Sequence, residues 1–84
     1  MKDEKARKSD YFLDITEEVC PMTFVKTKLL LERMEPGALL DVRLKGDEPL
    51  RNVPRSVVEM GHRVLSCDAQ GDDGSHLLRI EKAR

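Results

Sequence analysis

Cys20 stands in the stretch EEVCPMTFVKTK, directly before Pro21 and a run with helical periodicity. A helix start leaves its first backbone N–H groups without intrahelical partners and adds about half a positive charge from the macrodipole. A thiol placed there is drawn toward the thiolate, the nucleophilic form, below its free pKa of roughly 8.5. Glu17 and Glu18 oppose that shift, while Arg51 is a possible helper if its loop folds over the site. The competing reading of Cys20 is a small buried hydrophobe at a helix start, since free cysteine is often buried.

The remaining reactive side chains offer less. Cys67 falls on the same strand face as Leu65, the expected inner face, and reads as core packing. His62 follows the glycine that ends a helix and His76 begins a strand, so both read as solvated or capping residues. Asp72 and Asp73 belong to a turn rather than a carboxylate dyad. With no Cys-x-x-Cys and no His-Glu-x-x-His, a metal site is not expected.

The elements that must position Cys20 follow from periodicity. Residues 1–9 alternate charges with nothing to bury and read as a disordered tail, leaving 10–84 as one domain. Tyr11 to Thr16 reads as a strand with Tyr11, Leu13 and Ile15 on one face. A helix is expected over about residues 21–35, begun by Pro21 and closed by Gly37. Gly37 to Lys45 alternates cleanly, with Leu40, Val42 and Leu44 against Asp41, Arg43 and Lys45.

Gly46 to Pro49 reads as a loop, with Asn52 capping a short helix that carries Val53, Val57 and Met60 and stops at Gly61. Arg63 to Ala69 and His76 to Lys82 are two strands joined by a GDDG turn. The order β-α-β-α-β-β gives an α+β domain: a four-stranded mixed sheet, its first two strands parallel, two helices on one face and the other face solvated.

Composition narrows the function classes. Fifteen Lys and Arg against sixteen Asp and Glu, one Tyr, two Phe and no Trp make direct nucleic-acid binding an unlikely main role. No apolar run approaches the roughly 20 residues needed to span a bilayer, and the charged N-terminus does not resemble a signal peptide. A cytoplasmic setting with reduced thiols is the expectation.

The stretch LDITEEVCPMTFVKTKLLL resembles the TusA/SirA-like sulfur-carrier (sulfurtransferase) family. Asp14 stands six before the cysteine, as in that family, and Cys20-Pro21 matches the start of its Cys-Pro-x-Pro motif. Met34-Glu35-Pro36-Gly37, Asn52-Val53-Pro54, Gly61-His62 and the final hairpin continue the likeness. The resemblance implies a two-layer α/β sandwich. It also implies that Cys20 accepts sulfane sulfur as a persulfide, with no cofactor, from a cysteine desulfurase or other donor and passes it to an acceptor protein. Outlets of such carriers include tRNA thiolation, molybdenum-cofactor biosynthesis and other sulfur metabolism.

Asp14, Pro21 and Thr23 would be the supporting motif, although Thr23 replaces the second proline and Glu17 a frequent glycine. The Thr23 hydroxyl either reaches backbone or the Cys20 sulfur, or simply fits the first turn. Met22, Val25 and Leu29 fall off the stripe formed by Phe24, Thr27, Leu30, Leu31 and Met34. They either pack against the second helix or form a docking patch for donor and acceptor. The alternative function is a non-enzymatic regulatory or redox-sensing protein-binding module on the same scaffold.

Overall fold

The computed structural model describes residues 9–18 and 22–83. Residues 1–8 of the expected tail, the Cys20-Pro21 pair and residue 84 lie outside the described residues. The element order is β1 (Tyr11–Asp14), α1 (Met22–Arg33), β2 (Leu39–Lys45), α2 (Asp47–Glu59), β3 (Arg63–Gln70) and β4 (Ser75–Glu81). One sheet in the order β1-β2-β4-β3 holds a parallel β1–β2 pair and antiparallel β2–β4 and β3–β4 pairs. The two-layer α+β architecture read from the sequence is the architecture observed.

The core follows from the alternation of β2. Leu40, Val42 and Leu44 lie beside Ile80 and Leu78 of β4 on the helix side, and Leu31, Met34, Val53 and Val57 close over them. Tyr11 and Leu13 pack against that cluster from β1, and Ile15 belongs to it. At about 25 cal/mol per Å² of buried apolar surface, this cluster supplies the main drive for the helices to dock.

The second helix begins earlier than its sequence suggests. Asp47–Pro49 is the first turn of α2, with Leu50 N–H donating to the Gly46 carbonyl at 3.1 Å, so Asn52 lies inside the helix and caps nothing. The reason is electrostatic and steric: Asp47 and Glu48 complement the helix dipole, and Pro49 occupies a first-turn position whose N–H would have no partner. Gly61, at φ 96°, ends α2 in a Schellman arrangement, His62 N–H donating to the Val57 carbonyl and Gly61 N–H to that of Val58.

Two further expectations are corrected. Val64 pairs with Ile80 but Ser66 with Arg79, so Leu65 is an extra residue in a β-bulge. Cys67, paired with Leu78, is on the helix side of the sheet, yet it is exposed because β3 is an outer strand whose residues 67–70 are exposed. The face away from the helices is also not simply solvated. Leu39, Asp41 and Arg79 are buried there, and Arg79 Nε and Nη2 donate to the two Asp41 carboxylate oxygens at 2.8 and 3.0 Å.

Candidate functional site

Parallel pairing places Asp14 at the end of β1 directly beside Arg43 of β2. The Asp14 carboxylate folds the next residues into a turn, Oδ1 accepting Thr16 N–H at 2.9 Å and the Thr16 hydroxyl at 2.7 Å. Those hydrogen bonds, reinforced by Arg43, hold the Asp14 carboxyl below the ordinary carboxylate pKa. Ile15 N–H donates to the Arg43 carbonyl at 2.9 Å, and Glu18 N–H to that of Ile15 at 3.1 Å. The Glu18 carboxylate pairs with Lys26 of α1 at 3.0 Å.

This turn is one anchor of the segment that carries Cys20; the start of α1 at Met22 is the other. Cys20 itself lies outside the described residues, two positions after Glu18 and two before Met22 in the sequence. Helix α1 runs for 12 residues and has no acidic side chain in its first turn. Its N-terminal N–H groups therefore face no carboxylate from that turn and retain their preference for an anion.

Thr23 is buried, 1% exposed, and its carbonyl accepts the Thr27 hydroxyl at 2.8 Å. That burial gives Thr23 a packing role at the helix start. Met22 and Leu29 are 41% and 53% exposed, with Val25 half-buried between them. Packing against α2 therefore does not bury these residues, and an apolar strip of α1 faces outward. Arg51 is exposed in α2 and does not line the hollow beside the turn, which is formed by Asp14, Thr16, Glu17, Glu18 and Arg43.

Arg43 is the residue that sequence reasoning missed. Its Nη1 reaches Asp14 Oδ2 at 3.4 Å, while Nη2 reaches Asp73 Oδ2 at 3.0 Å and the Ser75 hydroxyl oxygen at 3.3 Å. The available signal was its place on the polar face of β2 once β1 and β2 are taken as parallel and in register. Asp73 is fixed in turn by Ser75, whose N–H and hydroxyl donate to Oδ1 at 3.0 and 2.6 Å and lower the carboxyl pKa to about 2. Cys67 has the opposite character, since partial desolvation and the neighbouring Asp68 charge push its thiol pKa up.

Among the described residues no group of three or more His, Cys, Asp or Glu side chains could hold a metal ion. No helix among them is long and apolar enough to cross a membrane.

The family model described as "Sulfurtransferase TusA" matches residues 11–82. A protein of Archaeoglobus fulgidus named "Putative sulfur carrier protein" is 50% identical over 70 residues, covering 83% of this chain and 80% of that protein. A Thermotoga maritima protein of the same name is 37% identical over 59 residues, covering 70% and 75%. The crystal structure of the SirA-like protein from Desulfitobacterium hafniense has the same fold, with a TM-score of 0.75 at 21% identity over 88% of this chain and 99% of that one. A match that spans β1 to the end of β4 takes in every element around the Cys20 segment. The chain belongs to the TusA sulfurtransferase family.

Proposed function

We propose that this protein is a sulfur carrier in which Cys20 accepts sulfane sulfur as a persulfide and hands it to a partner protein. The observation that carries the reading is a family match over residues 11–82 that includes Cys20-Pro21 immediately before the N-terminus of α1. In the loading step the Cys20 thiolate attacks the terminal sulfur of a donor persulfide, R–S–SH. A new S–S bond forms at Cys20 as the donor S–S bond breaks, and the donor leaves as R–S⁻ with that electron pair. Unloading repeats the exchange with an acceptor thiolate, so no net redox change and no cofactor are involved.

Asp14 shapes the approach to Cys20, Pro21 directly precedes α1 in the sequence and Thr23 packs the first turn of that helix. Met22, Val25 and Leu29 form the strip on which donor and acceptor dock, because exposed apolar side chains grouped on one helix face mark interaction surfaces. Arg51, exposed on α2, remains the helper of this scheme. The donor is a cysteine desulfurase or another persulfide-bearing protein, and the pathway served is tRNA thiolation, molybdenum-cofactor assembly or other sulfur metabolism.

Intact-mass analysis after incubation with a cysteine desulfurase and cysteine tests the reading. The expected result is one added, reductant-labile sulfur in wild type and in Cys67→Ser, and none in Cys20→Ser. No added sulfur with several donors would overturn it in favour of a protein-binding or redox-sensing module. Val25→Asp with Leu29→Asp is expected to slow loading at least tenfold in a folded protein; unchanged transfer would refute the docking strip.

A further inference from the structure

We infer that Arg43 is a positioning residue for sulfur transfer: acting through Asp14, it ties the turn that leads into Cys20 to the β3–β4 hairpin. The inference rests on the sulfur-carrier reading of Cys20 and adds a residue to it.

Three segments meet on this one guanidinium. Asp14 comes from the end of β1, Arg43 from β2, and Asp73 and Ser75 from the hairpin turn and the start of β4. Arg43 grips the turn twice, its carbonyl accepting Ile15 N–H and its Nη1 pairing with Asp14. A guanidinium is suited to this because its donors form a rigid planar fork, so one side chain can engage carboxylates on two sides without reorganising. The hairpin end is itself fixed, since the Ser75 hydroxyl donates to Asp73 and lies within 3.0 Å of the Gln70 carbonyl.

The exposed ion pairs need not add much stability, because solvent screens pairs of this kind. Their effect falls on geometry and charge. Asp14, Glu17 and Glu18 bring three carboxylates to a hollow where Arg43 is the lining cation, while Lys26 answers Glu18 from the α1 side and Asp73 approaches from the hairpin. Removing Arg43 leaves Asp14 uncompensated on the segment that ends at the nucleophile. That charge disfavours a thiolate, and the turn keeps its Thr16 and Ile15 hydrogen bonds but loses its tie to the hairpin.

The test uses the full chain with Cys67→Ser, which leaves Cys20 as the thiol that iodoacetamide can alkylate. Alkylation rates are followed from mildly acidic to mildly alkaline pH, alongside thermal melts. Arg43→Gln is expected to slow alkylation at neutral pH by about 3- to 10-fold and to move the pH midpoint upward, since one pKa unit corresponds to a tenfold change in thiolate. Arg43→Lys is expected to restore most of the rate.

Adding Asp14→Asn to Arg43→Gln, which keeps an oxygen acceptor for Thr16, is expected to return the midpoint toward wild type. An Arg43→Gln protein with wild-type midpoint and rate overturns the inference, as does a slowing that accompanies a lower melting temperature with no midpoint shift. Failure of Asp14→Asn to restore the midpoint overturns the route through Asp14. None of these readouts needs a persulfide donor, so they are independent of the loading experiment, and either result can fail without the other.

Discussion

His62 is 9% exposed, and its Nδ1 accepts the Ala83 N–H at 2.9 Å, so the imidazole holds the chain end that follows β4. Its sequence position after Gly61 suggests a solvated or capping residue; the ring is instead buried, in contact with Ala83, 21 residues away. Burial first, and the Lys82 charge second, lower its pKa below the ordinary histidine value of about 6.5. The unfolded state therefore binds the proton more readily, so the contribution is complete above about pH 6.5 and declines as pH falls toward the folded pKa. Acidification from neutrality is expected to lower the melting temperature, and His62→Gln is expected to flatten that part of the slope.

Asp73 behaves by the same rule at lower pH. Its pKa of about 2 makes its contribution complete above the ordinary carboxylate range and lost as pH falls through that value. GDDG announces this turn in the sequence, and Asp73 indeed performs turn chemistry by accepting from Ser75. Its second partner, Arg43, lies 30 residues away and is invisible to local reading.

Helix α1 shows how a pattern resolves into two faces. Leu31 is fully buried while Leu29, two residues earlier, is 53% exposed. Leu31→Ala is expected to cost about 2 to 5 kcal/mol in urea denaturation, as for other core leucines. Leu29→Ala is expected to change stability by no more than about 0.5 kcal/mol. The 3.6-residue stripe identified the inner face through Thr27, Leu31 and Met34, but periodicity alone leaves open whether the other side meets a second helix or water. Helix α2 hid its start because Gly46 and Pro49 mimic a loop. The structure keeps Pro49 in the first turn and tolerates Pro54 inside because Val53 and Val57 are fully buried.

Over the whole molecule, element order was legible because each segment carries its own period. The insertion of β4 between β2 and β3 depends on pairs such as Val42 with Leu78, which no local window contains. The same holds for the bidentate Asp41–Arg79 pair, whose side chains are each 10% exposed on the face away from the helices. Asp41→Asn is expected to destabilise the fold by about 3 to 5 kcal/mol, because it removes the carboxylate charge from a buried, bidentate pair. Replacing both residues by leucine is expected to recover most of that loss in the same denaturation measurement.

The bulge at Leu65 reaches beyond the placement of Cys67. An outer strand of eight residues presents a row of backbone donors and acceptors that another chain could extend into a continuous sheet. One surplus residue breaks the regular repeat of that row, and Arg63 and Asp68 place charge on either side of it. The irregularity therefore makes this outer strand a poorer template for pairing with another chain than a regular strand of the same length.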